Sequence, residues 1–211
     1  MADEKQYLRA VFSEARSSVP AAYAAALSIR VQRQLLGTNA YLAAKQVVLY
    51  AALDREVETA LIAADVLRTN RRLYYPIIDR VHRRIRFGAV SGIADLSPGA
   101  FGILEPLAAR ALEAEELGAA LVCVPGLAFT PAAARLGRGG GYYDRLLAAM
   151  SAEVVTAGLA YSFQLINRLP EELHDRRLDL IVTESAVYAA NGAPDAAAQP
   201  ADQGGLPKWA C

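Results

Sequence analysis

Apolar and polar positions along the chain alternate between two periods, and each period predicts its own kind of element. Leu8, Val11, Phe12 and Ala15 recur at helical spacing, with Lys5, Arg9 and Arg16 beside them. Ser18-Val19-Pro20 reads as a break followed by a helix start, since proline fits the first turn of a helix but not its interior. A second helix is predicted over 21–36, with Gly37 as its stop. The run 46–52, carrying Val47, Val48 and Tyr50, predicts a short strand, and 59–69 returns to helical spacing. Strands are predicted over 72–78, with Pro76 near the end, and over 85–89. Leu96-Ser97-Pro98-Gly99 reads as a turn or loop. A buried strand over 120–124 ends at Pro125-Gly126, a helix is predicted over 142–150, and strands follow over 154–160 and, last, 178–182. Strands alternating with helices predict one α/β domain, residues 1–188, whose mainly parallel sheet is flanked by helices. From 189 the composition turns to Ala, Pro, Gly, Asp and Gln, which predicts a flexible, mobile C-terminal tail over 189–211.

Composition narrows the class. The 211 residues are 54% hydrophobic and 21% charged, which suits a folded domain. Lys plus Arg balance Asp plus Glu at 22 each, so no net field recruits nucleic acid or an anionic membrane. The basic stretches 68–72 and 80–86 read first as solvated helix ends or loops, and second as phosphate or polyglutamate contacts. Two cysteines and two histidines exclude a disulfide framework and a His/Cys zinc cluster. The N-terminus Met1-Ala2-Asp3-Glu4-Lys5 lacks an apolar signal core, and no run reaches the ~18 apolar residues of a span, so a cytoplasmic protein with no membrane partner is expected.

The strongest candidate for chemistry is the segment Arg135-Leu136-Gly137-Arg138-Gly139-Gly140-Gly141-Tyr142-Tyr143-Asp144-Arg145, between the strand over 120–124 and a helix. Glycines allow positive φ and close approach of a ligand, and successive backbone N–H groups form an anion nest. The helix start adds its dipole, while Arg135, Arg138 and Arg145 add guanidinium groups suited to phosphate. Asp144 is placed to hold a magnesium ion. The loop has neither the Gly-Lys-Ser/Thr ending of a P-loop nor Gly-x-Gly-x-x-Gly, and a tight strand-to-helix connection is the plain alternative. From residue type alone, Lys5 and Arg9 read as an exposed helix face, Glu56 and Glu58 as a solvated strand end, and His174 and Asp175 as surface turn residues.

This loop, with Val124-Pro125-Gly126-Leu127-Ala128-Phe129 before it, resembles the 5-formyltetrahydrofolate cyclo-ligase family. The resemblance extends in order through Lys5-Gln6-Tyr7-Leu8-Arg9, Glu56-Val57-Glu58-Thr59, Phe101-Gly102-Ile103-Leu104-Glu105-Pro106, Ala157-Gly158-Leu159-Ala160-Tyr161 with Gln164, Leu169-Pro170, His174-Asp175 and Val182-Thr183-Glu184. It implies an ATP- and magnesium-dependent conversion of a reduced folate, 5-formyltetrahydrofolate, to 5,10-methenyltetrahydrofolate, ADP and phosphate; separately from the resemblance, a monomer is expected. By resemblance Lys5 and Arg9 contact the ATP phosphates, as does the loop Arg135, Leu136, Gly137, Arg138, Gly139, Gly140, Gly141, Tyr142 and Tyr143. Arg9 and the stretch from Arg138 to Tyr142 also border the folate, whose pterin is assigned to Glu56 and Glu58 with Leu53 beside them. Asp144 and Asp175 fall at magnesium positions, and Arg138, Tyr143 and Asp144 at catalytic ones. The chain departs from the family pattern at Thr130, where an Asp is expected, and in the apolar connector Pro131-Ala132-Ala133-Ala134. That departure motivates a second expectation, a non-catalytic nucleotide- or folate-binding regulator on the same fold.

Overall fold

A computed structural model describes residues 2–53, 55–107, 111–172 and 175–190. Helix α1 (Ala2–Ser18) ends before Pro20, and α2 (Ala21–Leu36) starts after it. The inward face of α2, Ala24, Leu27, Val31 and Leu35, keeps the spacing that the sequence shows. Thr38 then caps the short α3 (Asn39–Ala43) by accepting a hydrogen bond from the Tyr41 N–H at 3.2 Å. The chain continues through β1 (Gln46–Val48), α4 (Ala60–Arg68) and the long hairpin of β2 (Arg72–Asp79) and β3 (Arg84–Val90). A small ribbon of β4 (Leu96–Pro98) and β5 (Leu104–Pro106) precedes β6 (Ala111–Leu112) and β7 (Leu121–Val124). A second ribbon, β8 (Ala128–Phe129) with β9 (Arg135–Leu136), leads to α5 (Tyr142–Ala149), β10 (Val155–Leu159), β11 (Leu180–Val182) and β12 (Val187–Ala189).

Among the described residues, eight strands form one sheet in the order β12-β11-β10-β7-β1-β2-β3-β6. The central strands β11, β10, β7, β1 and β2 run parallel, and β12, β3 and β6 add antiparallel margins. A parallel centre must be covered on both faces, and β7 reads Leu-Val-Cys-Val with every residue buried. Its side chains alternate between two cores: Leu121 and Cys123 join Val31, Leu35 and Ile62 from α2 and α4, while Val122 and Val124 join Phe129, Leu146 and Leu147.

Strand order reverses at β1, which has β2 on one side and β7 on the other. In open α/β sheets the crevice beyond the carboxyl ends of such strands is where ligands bind. Here β1 is short: its pairing with β2 stops at Tyr74, whereas β2 runs on against β3 to Asp79. Pro76 therefore lies inside β2 rather than near its end, where its missing N–H faces no strand on the β1 side.

Three local expectations are corrected. Leu96 to Pro98, read as turn, is a strand paired with Leu104 to Pro106; serine and proline disguise it because only two strands make the ribbon. The strand at 178–182 is not the last, since β12 returns antiparallel to it and reaches Ala189, the first residue of the expected tail. The rest of that tail, 191–211, lies outside the described residues, as does His174. On α1, Val11 is exposed, while Lys5, Phe12 and Arg16 are buried, so the inner face carries charge as well as an apolar anchor. No described helix is long and apolar enough to cross a membrane.

Candidate active site

The glycine loop is held from beneath by a ribbon that Thr130 closes. The Thr130 N–H donates to the Ala134 carbonyl at 3.0 Å, and the Thr130 Oγ1 accepts from the Ala134 N–H at 3.1 Å. Ala133, at φ 64°, sits in the left-handed region and is fully buried. A hydroxyl thus orders the turn at the position where the family pattern has an Asp, and the ribbon β8–β9 sets Arg135 and Leu136 in line with the loop. Gly139 and Gly141 have φ of 95° and 66°, so the loop's two sharpest bends fall where a side chain would strain the backbone. Gly141 is the N-cap of α5 and turns that helix start toward the loop. From the other side Arg145 Nε donates to the Arg83 carbonyl at 2.7 Å, and Arg145 Nη2 to the Gly140 carbonyl at 3.1 Å. Arg83, from the basic stretch 80–86, therefore touches the loop, while residues 80–84 stay exposed as expected.

Two cavities meet at this loop. The larger, about 410 Å³, is mostly apolar and lies at the switch point of the sheet. Tyr50, Ala51, Leu53 and Glu56 from beyond β1, Pro76 and Ile78 from β2, Phe101 and Ile103, and Pro125 and Gly126 from beyond β7 line it, facing the loop with Tyr142 and Tyr143. Its volume falls in the ~300–1,000 Å³ range of small-molecule sites. The smaller, about 190 Å³, is polar and lined by Lys5, Arg9, Arg135, Leu136, Asp144, Glu172 and Asp175 with Gly137, Gly139 and Gly141. It is too small for a whole nucleotide and suits the phosphate end of one. Arg135, Gly137, Gly139, Gly141 and Asp144 line both cavities, so the loop is their common wall.

Ion pairs from distant segments furnish each cavity. Lys5 Nζ lies 2.9 Å from Glu172 Oε1 and 2.8 Å from Asp175 Oδ2. Burial alone would lower the Lys5 pKa, but its hydrogen bonds to Asp175 and Glu172 outweigh that and raise it. Arg9 Nε donates to the Gly137 carbonyl at 3.1 Å, and its guanidinium passes beside Gly139. Arg135 is buried between the Asp144 carboxylate, the Pro125 carbonyl at 3.3 Å and the Tyr143 ring, and burial lowers its pKa against the pull of Asp144. In the larger cavity Arg138 Nη2 is 3.1 Å from Glu56 Oε1, and the Leu53 N–H donates to Glu56 Oε2 at 3.1 Å. Burial, followed by the Glu56 charge, pushes the Tyr143 phenol well above its ordinary pKa, so it stays a neutral hydrogen-bonding group.

The candidates named from sequence converge here with one exception. Lys5, Arg9, Leu53, Glu56, the loop from Arg135 to Tyr143, Asp144 and Asp175 all line one cavity or both. Glu56 is buried, not a solvated strand end. Glu58 does not line either cavity; its N–H donates to Ser28 Oγ at 2.8 Å, and burial followed by the Glu56 charge raises its pKa. Sequence reasoning missed Arg16, whose Nη1 lies 3.5 Å from both Glu56 Oε1 and the Gly126 carbonyl, and Glu172. Arg16 had a signal: Lys5, Arg9, Phe12 and Arg16 share one face of α1. Tyr50 was missed as a cavity wall because nothing local to it marks a site, and Phe101 was named only within a resembling block, with no role at the site.

Fold and site together define an α/β enzyme whose ligand crevice opens at the switch point of a parallel sheet, with an anion-binding loop dividing it. The model of the 5-formyltetrahydrofolate cyclo-ligase family matches residues 1–184, and the chain belongs to that family. The mouse 5-formyltetrahydrofolate cyclo-ligase is 27% identical over 195 residues, covering 88% of this chain and 92% of its own. That of Haemophilus influenzae is 31% identical over 144 residues, covering 66% and 76%. The NMR structure of Aquifex aeolicus 5,10-methenyltetrahydrofolate synthetase superposes with a TM-score of 0.77 at 33% identity, covering 88% of this chain and 92% of the other.

Proposed function

We propose that the protein converts 5-formyltetrahydrofolate to 5,10-methenyltetrahydrofolate at the expense of ATP. The observation that carries this reading is the shared wall: five residues of or beside one glycine loop line both a phosphate-sized polar cavity and an apolar cavity. A reaction that passes a phosphoryl group from nucleotide to a flat organic substrate needs that arrangement.

The formyl carbon is an amide carbon and a poor electrophile. Transfer of the γ-phosphoryl group to the formyl oxygen releases ADP and makes that oxygen a leaving group. Attack by the neighbouring folate N–H nitrogen forms the second C–N bond, and the oxygen departs as hydrogen phosphate, which takes that nitrogen's proton and leaves the bridged methenyl cation. Such chemistry is mostly alignment and charge stabilisation. Lys5, Arg9 and Arg135 face the phosphates, with the loop N–H groups and the α5 N-terminus. Arg138, which pairs with Glu56 across the larger cavity, is the loop cation assigned to the transferring group, and Glu56, with Leu53 beside it, is assigned to accept pterin N–H groups. Tyr142 and Tyr143 wall the folate.

Magnesium fits the donor set of the polar cavity. Asp144 and Asp175 are hard oxygen donors lining it, and a magnesium ion with nucleotide asks for one or two carboxylates rather than a full protein cage. Both are paired with cations, Arg135 and Lys5, that a polyphosphate would draw to itself. Bound there, the ion would neutralise phosphate charge. We take the working unit to be a cytoplasmic monomer, which size-exclusion chromatography tests for its oligomeric part.

The test mixes protein, ATP, magnesium and 5-formyltetrahydrofolate and follows methenyltetrahydrofolate absorbance. ATP-dependent product is expected, and its absence with folded protein overturns the proposal.

A further inference from the structure

We infer that Arg16 is a positioning residue for the folate half of the site, anchoring the Glu56 carboxylate while Arg138 shifts from Glu56 to the nucleotide. The inference rests on the proposed function, because it takes Glu56 as the folate acceptor and Arg138 as a phosphate ligand.

Glu56 Oε1 faces two guanidinium groups, and they differ in what holds them. Arg138 belongs to the glycine loop, and its side chain is 46% exposed. Arg16 is 1% exposed, approaches Glu56 and the Gly126 carbonyl together, and comes from α1, one turn beyond the buried anchor Phe12. The exposed partner can rotate toward the polar cavity, since the loop that carries it borders both cavities; the buried one cannot. Charge makes the difference matter. Glu56 is 9% exposed, and removing the only nearby cation from a buried carboxylate is strongly unfavourable. With Arg16 fixed behind it, Arg138 can leave without stranding that charge, and the carboxylate keeps its place for the pterin. Oε2 is held separately by the Leu53 N–H, so the two oxygens are pinned from two sides.

The experiment compares Arg16→Met, Glu56→Gln and the double variant in steady-state turnover. For Arg16→Met we expect the KM for 5-formyltetrahydrofolate to rise at least tenfold while the KM for ATP moves less than threefold. The double variant should match Glu56→Gln alone, because a residue acting only through Glu56 has nothing left to act on. Equal rises in both KM values, or a double variant showing the product of the single losses, overturns the inference. Circular dichroism and thermal melts establish folding. Should Arg16→Met not fold, Arg16→Lys replaces it: lysine lacks the planar fork, so the folate KM should rise at least threefold without an ATP effect, and an unchanged folate KM counts against Arg16. A wild-type enzyme without ATP-dependent product sinks the parent reading instead, and is seen before any variant is made.

Discussion

Arg138 and Glu56 are joined across 82 positions of sequence, and each has a second task. Arg138→Ala removes a charge-assisted contact to the transferring group, so kcat/KM should fall by ~1.5–3 kcal/mol, roughly 10- to 150-fold. Steady-state kinetics with both substrates checks this, and unchanged values would place Arg138 outside the reaction. Glu58 tells the opposite story. Burial and the neighbouring Glu56 raise its pKa above the ordinary 4.5, so folding favours the protonated form. That contribution is complete below the unfolded pKa and is lost as pH rises through the folded one. At pH 7 the ionised Glu58 is therefore a burden, and Glu58→Gln should raise the melting temperature there and do nothing at pH 4. The residue is exposed, so solvent screens the effect and the gain is at most a few tenths of a kcal/mol, about 1 °C. A lower melting temperature at pH 7 would contradict this.

Helix α1 is a wall of the site whose inner face is charged and whose apolar hold is narrow. Phe12 is its buried apolar anchor, in a small core with Leu127, Leu136 and Leu169 beneath the loop, against which Leu8 also packs. Phe12→Ala should cost ~3–5 kcal/mol of stability. It should also raise the KM for ATP, since Lys5 and Arg9 ride on the same helix. Urea unfolding and ATP titration of turnover check the two halves. A full stability loss with an unchanged KM for ATP would show that α1 keeps its charges in place without this anchor. This element was legible as a helix, but its orientation was not. Val11 fits the apolar spacing and points outward, while Arg16 breaks it and is buried. Periodicity assumes that the buried face meets a core, and here it meets a site.

For the whole molecule, ligands that bind only the folded state stabilise it by mass action. At a hundredfold excess over Kd the gain is ~2.7 kcal/mol, or about 5 to 10 °C for a domain of this size. ATP with magnesium should therefore raise the melting temperature. ATP with EDTA should raise it less, and EDTA should bring turnover to background. Equal shifts with and without magnesium would remove Asp144 and Asp175 from the metal assignment.

The sequence by itself determined the local pieces. Apolar runs such as Leu121 to Val124 can be satisfied only inside a covered sheet, Pro20 can sit only at a helix boundary, and Gly139 and Gly141 mark bends that other residues resist. These constraints act over a few neighbouring residues, so a few neighbouring residues reveal them. Ordered blocks also made the glycine loop and most of its partners recognisable as a family site. Only the tertiary structure decided which charges meet. Lys5 pairs with groups 167 and 170 positions away, and Arg16 with one 40 away. Two acidic residues two apart, Glu56 and Glu58, look alike in sequence, yet one faces the cavity and the other does not. A charge's partner is set by the path of the sheet through space, and the strength of that pairing by the water it excludes, neither of which local pattern contains. Even Thr130, which broke the family pattern, proved to close its turn through a hydroxyl once Ala134 lay opposite it.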